Sequence, residues 1–183
     1  MRVAVLLLAL LALPPERYEI APGSRFSIDG TATTGSWTCE ADAVRGTGTL
    51  GADGSLAAEI TIPVQDFDCG FGPMNRDLRR ALRAREHPSI VFELGSADVL
   101  SEGAESGTWV GVRTSGTLRL AGASRPVTLS AEGRRLPDGR VELRGHHPLR
   151  MSDFGVEPPS HALGLVRAHD SIVARFDLVA VAN

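Results

Sequence analysis

The chain has 183 residues, 43% of them hydrophobic and 22% charged, with a formal net charge of −3. That length supports one core of ordinary size and falls short of two typical domains. All 19 basic residues are arginine, and a mildly acidic chain with scattered basic residues excludes a dedicated nucleic-acid binder.

The chain opens on MRVAVLLLALLAL, one arginine followed by an unbroken apolar run from Val3 to Leu13 that stops at Pro14 and Pro15. This is the layout of a secretory signal, and it is too short to span a bilayer. Residues 1–15 therefore read as a signal peptide and residues 16–183 as the exported domain, periplasmic or secreted. A buried helix, an inner strand or an uncleaved anchor are the other readings of the same run.

From Arg25 onward, apolar residues recur at every second position. RFSIDGTAT aligns Phe26, Ile28, Gly30 and Ala32 on one face, and SLAAEITIPV aligns Leu56, Ala58, Ile60, Ile62 and Val64. Between them, Cys39 in GSWTCEADA and Cys69 in DFDCGFG both stand beside aromatic residues. Export permits a disulfide, and closing a loop of that length would contribute about 3–4 kcal/mol. Two buried free thiols are the alternative, and no C-x-x-C spacing points to redox work.

A helix interrupts the alternation. PMNRDLRRALRA begins with proline, lacks β-branched residues and ends before the His87-Pro88 pair, which predicts a helix over Met74 to Ala84. Met74, Leu78, Ala81 and Leu82 share one side and Arg76, Arg79, Arg80 and Arg83 the other. Asp77 is read as an early residue suited to the helix dipole. The apolar stripe would close one end of the β structure. The arginine face is either simply solvated or a basic rim for anionic lipid headgroups.

Alternation then returns through Phe92, Val110, Val112, Leu118, Val127, Leu129, Ala131, Val141, Leu143, His147 and Leu149, and closes with Ile172, Ala174, Phe176 and Leu178. Asp53-Gly54 and Asp138-Gly139 mark hairpin turns. Seven or eight strands joined by short turns make an antiparallel meander with one apolar face, which is hidden either in a sandwich or in a closed barrel. Gly30, Ala32, Ala58, Gly116, Ala131, Gly145 and Ala174 carry little side chain on that inner face. They leave volume for a ligand or mark bends.

No catalytic constellation emerges. Strand carboxylates (Glu59, Glu93, Glu132, Glu142, Asp177) fall on the polar faces, and the adjacent His146 and His147 must point to opposite sides. His147 is expected inward, as a neutral, hydrogen-bonded histidine or as a ligand contact. The expectation is a non-enzyme without metal or cofactor.

Four stretches in order carry a resemblance: Arg76-Asp77 with Pro88-Ser89-Ile90-Val91-Phe92, GTLRLAGASRPVTL from Gly116 to Leu129, MSDFGVEPP from Met151 to Pro159, and the terminal GLVRAHDSIVARFDL. Together they resemble the YceI-like family over about Tyr18 to Val181, with Trp37-x-Cys39 and Cys69-Gly70 resembling a cysteine-containing branch. Met151 departs from the pattern, since many members have arginine there. The resemblance implies an all-β fold, an extended antiparallel lipocalin-like β-barrel of about eight strands with one short helix capping an end. It implies a disulfide clipping the third strand to the loop entering the helix. It also implies binding, storage or transport of a long apolar lipid, such as a polyisoprenoid or an acyl chain. The expected ligand wall is Phe26, Ile28, Trp37, Ile60, Phe92, Val112, Leu118, Leu129, Leu143, His147 and Phe176, with Met74, Arg76, Asp77, Leu78 and Leu82 on the lid helix. The expected partners are that lipid and, transiently, an anionic membrane surface, with the protein a monomer or homodimer. The alternative is a stress-related structural or interaction protein whose barrel is filled by its own side chains.

Overall fold

The computed structural model describes residues 15–41, 43–100, 105–161 and 165–183. The apolar N-terminal run, read as a signal, lies outside them. The strands are β1 (Glu16–Ile20), β2 (Arg25–Ala32), β3 (Gly35–Ala41), β4 (Arg45–Leu50), β5 (Leu56–Pro63), β6 (Phe67–Asp68), β7 (Ser89–Val99), β8 (Val110–Leu120), β9 (Ala123–Arg135), β10 (Val141–Arg150), β11 (Ser160–His161) and β12 (Val166–Ala182). One α-helix, α1 (Gly72–Ala81), separates β6 from β7.

Several of these strands are segments of one bent stave. β1 and β2 both lie against β12, while β3 pairs with β2 and β4 with β1. β5 pairs with β4, and β6 carries the same stave on to β3 after a short 3-10 turn, Val64–Asp66. The ring then runs β7, β8, β9, β10 and β12, every neighbour antiparallel. Pairing of β1 with β12 (Tyr18 opposite Ala182, Ile20 opposite Ala180) closes it. The result is a closed eight-stave barrel, not a sandwich with open edges.

Period-two sequence produces this wall directly. Inward residues such as Ile28, Ile62, Val112, Ile172 and Leu178 are buried, whereas many of the alternate outward residues, such as Glu59, Glu93, Arg113 and Arg175, are charged. Outside, Glu59 and Glu93 face each other across β5 and β7, and Arg119 of β8 lies 3.9 Å and 2.6 Å from them. Without that cation two like charges would stand directly opposed. The guanidinium groups of Arg134 and Arg144 both stack on the Trp109 ring, 4.4 Å and 4.0 Å from its centroid, and each is also paired with a glutamate, Glu142 and Glu132. The Asp53-Gly54 and Asp138-Gly139 turns form as expected, with both glycines left-handed at φ 81° and 87°.

One ladder is incomplete. β9 and β10 pair only from Ala131–Arg135 against Val141–Gly145; beyond that point β9 keeps β8 and β10 keeps β12. Pro126 and Pro148 lie on the two unzipped lengths, and neither can donate to a ladder. The Asp-Phe-Gly segment closes the end of this seam. Its 3-10 turn, Met151–Phe154, buries Met151 and Phe154, and Arg125 of β9 donates to the Asp153 carbonyl at 3.0 Å.

The helix departs from expectation in extent and charge. It stops at Ala81 rather than Ala84 because Arg83 takes a left-handed conformation at φ 51°. The Arg83 amide then bonds the Arg80 carbonyl and the Ala84 amide the Arg79 carbonyl, a Schellman ending with arginine at the usual glycine position. Leu82 and Ala84 are buried, and the Arg83 guanidinium donates to the Ala121 carbonyl, which holds the turn against the barrel. Asp77 is sixth of the ten helical residues, so it is not in the first turn. Nor are all four arginines simply solvated: Arg79 donates to the Gln65 carbonyl at 2.9 Å and its Nε is buried.

Candidate functional site: the barrel interior

The staves enclose a cavity of about 1180 Å³ lined mainly by aliphatic and aromatic side chains. That exceeds the roughly 300–1,000 Å³ common for small-molecule pockets. The space runs along the barrel, reaching Trp37, Phe71 and Met74 at the helix end and Tyr18, Leu56 and Val141 at the other. The interior is therefore not filled by its own side chains.

All eleven expected wall residues line this space: Phe26, Ile28, Trp37, Ile60, Phe92, Val112, Leu118, Leu129, Leu143, His147 and Phe176. Of the lid residues, Met74, Asp77, Leu78 and Leu82 line it as well, while Arg76 is exposed and turned away. Asp77, with a side chain only 14% exposed, lies 3.4 Å from Arg80.

The small inner residues divide into two kinds. Ala32, Ala58, Ala131 and Ala174 line open space. Gly30, Gly116 and Gly145 do not, so of the two expectations, room for a ligand or bends, the first fails at these three. A Cβ on Gly145 would meet the Phe176 ring at 2.6 Å and one on Gly116 the Phe92 ring at 2.7 Å, while the Trp37 indole occupies the same place over Gly30. In each case an aromatic ring lies flat on a neighbouring strand instead of pointing across the lumen. Large side chains thus make wall rather than plug.

His147 is inward, as expected, but among the described residues nothing hydrogen-bonds its imidazole. It stands just past the end of the β9–β10 ladder and opposite Ala174 of β12. Burial holds its pKa below the usual 6.5, and His146 adds a smaller push in the same direction. The His147 ring, with no hydrogen bond from the described residues, faces the cavity as a polar point in a mainly apolar wall.

The lid is anchored by a disulfide and one amide side chain. Cys39 and Cys69 are bonded. The ladder that sets Ala41 against Phe67 and Glu40 against Asp68 brings the two cysteines to opposed positions next in line. Asn75 then accepts from the Cys69 amide at 2.7 Å and donates to Asp68 at 3.0 Å, tying α1 to the disulfide loop. Sequence reasoning missed Asn75; an amide side chain shortly after an Asp-Cys-Gly turn was the available signal.

Among the described residues, no three His, Cys, Asp or Glu side chains gather as a metal site would require, and no helix is long and apolar enough to cross a membrane.

The YceI-like domain model matches residues 18–180. The chain belongs to the YceI-like family. Solved structures place this YceI-like barrel among similar folds. A polyisoprenoid binding domain from Saccharophagus degradans has 18% identity and a TM-score of 0.74, covering 91% of this chain and 98% of that one. Burkholderia cenocepacia BcnA has 18% identity and a TM-score of 0.69, covering 86% and 96%. The Campylobacter jejuni YceI protein has 15% identity and a TM-score of 0.59, covering 79% and 84%. No curated protein matches the chain by sequence. At these identities the structures share the fold with this chain; the family follows from the domain match. Met151, where many members carry arginine, is buried here and lines the cavity, so the lumen gains an apolar residue at that position.

Proposed function

We propose that this YceI-like barrel is a non-enzymatic carrier that binds, stores or transports one long apolar lipid chain, isoprenoid or acyl, in its interior. The carrying observation is the 1180 Å³ apolar cavity. Burying a chain there removes apolar surface at roughly 25 cal/mol per Å² without requiring a specific polar partner. The polyisoprenoid binding domain of Saccharophagus degradans, similar over 91% of this chain, supports an isoprenoid as the first candidate. A side-chain-filled structural barrel is a poor account of so large a space. The Cys39–Cys69 bridge supports export to an oxidising compartment, periplasmic or extracellular. The absence of a convergent acid, base and oxyanion set among the described residues argues for binding without chemistry.

The experiment is extraction of lipid from natively purified, never-refolded protein, with mass spectrometry of the extract and stoichiometry against protein. One chain per barrel is expected. Protein that carries no lipid and takes up none from liposomes defeats the reading.

A further inference from the structure

We infer that the helix end of the barrel is a membrane-docking face, built to seat the cavity mouth on an anionic lipid bilayer. The inference rests on the carrier reading above for its purpose, but on separate residues for its evidence. Large hydrophobics exposed among the described residues are confined to the two barrel ends: Phe71 and Leu165 at the helix end, Leu56, Val99 and Leu100 at the other. Phe71 is 63% exposed and Leu165 79%. Phe71 also lines the cavity, so the apolar wall reaches the surface at this end, as it does through Leu56 and Val99 at the other, and charge must distinguish the two. At the same end the β2–β3 turn contributes Thr34, Gly35 and Ser36 to the lining, and Thr33 of that turn donates to the Leu165 carbonyl at 3.0 Å. Two exposed apolar side chains thus stand at this end of the barrel.

The helix segment is locally basic. Residues 70–88 hold five arginines against Asp77 and Glu86, a net +3 within a chain of −3. On α1 the exposed residues Gly72, Arg76 and Arg80 recur every fourth position and so form one side of the helix, directly after Phe71. Arg80 keeps 81% of its side chain in solvent despite its 3.4 Å contact with Asp77. Arg79 and Arg83 are spent on the carbonyls of Gln65 and Ala121, so the helix offers headgroups Arg76 and the largely exposed Arg80, with Arg85 exposed just beyond it. At the opposite end charges of both signs surround the exposed apolar residues: Val99 shares a hollow with Glu105, Arg134 and Arg135, and Glu16 is paired with Arg135, so no basic segment like that of the helix stands there. Apolar side chains beside cations at a mouth fit an interface where acyl chains meet anionic headgroups.

The test is flotation of the intact protein with vesicles of phosphatidylcholine alone and of phosphatidylcholine mixed with phosphatidylglycerol. Binding is expected to the mixed vesicles and to weaken as salt rises. Phe71→Ser with Leu165→Ser should lower partitioning about tenfold or more. Arg76→Gln with Arg80→Gln should lower it by about fivefold per residue and flatten the salt dependence. Val99→Ser with Leu100→Ser, at the far end, should leave binding unchanged. No vesicle binding, equal binding to both compositions, or loss on the far-end variant with retention on the Phe71/Leu165 variant overturns the proposal. Lipid extracted before any vesicle is added keeps the two readings apart. A loaded protein that ignores vesicles sinks only the docking face, and a vesicle-bound protein that never loads sinks only the carrier.

Discussion

The phenyl ring of Phe176 occupies the space that a Cβ on Gly145, its directly opposed neighbour in the β10–β12 ladder, would fill. The ring is therefore folded onto the wall, and the lumen beside it stays open. Gly145→Ala should push the ring inward. We expect destabilisation of about 1–3 kcal/mol from overpacking, together with reduced lipid loading. Urea unfolding and lipid extraction measure the two effects. Adding Phe176→Leu should recover most of the stability, because the shorter side chain clears the new methyl; a double variant no better than Gly145→Ala would refute the steric account.

Open wall positions behave differently from covered ones. Ala131 and Ala174 line the cavity. Ala131→Phe or Ala174→Leu should occupy lumen and lower the lipid recovered per protein, with a stability cost within about 1–3 kcal/mol. Unchanged lipid content in a folded variant would mean the ligand lies elsewhere.

The disulfide lends itself to a direct thermodynamic test. Cys39→Ser with Cys69→Ser should lower the unfolding free energy by about 3–4 kcal/mol, the chain-entropy expectation for a loop of that size. Denaturant midpoints of the oxidised, reduced and double-variant proteins should place the last two together. Intact mass should rise by two hydrogens on reduction.

His147 sets a pH dependence. Its folded-state pKa lies below 6.5, so between that value and 6.5 the unfolded chain binds more protons than the native one. Stability contributed by the neutral ring is thus complete above 6.5 and falls as pH drops below it. Protonation would also place a charge in an apolar wall, so lipid retention should fall over the same range. Unfolding and lipid release followed from about pH 7 to about pH 5 should show both, and His147→Leu should flatten both. The restricted window keeps the carboxylates out of the measurement: Asp29 and Asp170 are held below 3.8, chiefly by hydrogen bonds from Thr38 and Ser152 respectively.

Strict period-two alternation made the barrel's inner face legible, because a pleated strand sorts side chains between two faces without regard to the rest of the fold. Val112, Leu118, Leu129 and Leu143 could be read as wall for that reason alone. Closure was not legible from pattern: it depends on Tyr18 and Ala182 meeting, and alternation serves a sandwich equally well. The glycines were misread because sequence records a missing Cβ but not what covers it, and Phe176 and Gly145 are adjacent only through the β10–β12 register. The fate of the arginines was hidden for a similar reason. Helical spacing sets Arg79 and Arg83 on one face with Arg76, yet Arg83 lies past the helix end and carbonyls of Gln65 and Ala121, supplied by other elements, claim both.

The strand β12 follows every other stave in the chain, yet it pairs with β1, whose partner residues lie at the opposite end of the sequence: Glu19 meets Val181. No ring can exist on a ribosome or in a translocation channel until that strand has emerged. Before then β1 and β10 both present unpaired edges, the arrangement most prone to joining another chain. So sequence-distant a closure step is slow by nature, on the order of milliseconds to seconds. A chaperone that shields strand edges is therefore most useful to this protein late in synthesis, and substitutions in Val179–Ala182 should reduce the yield of folded protein more than their small buried area would imply.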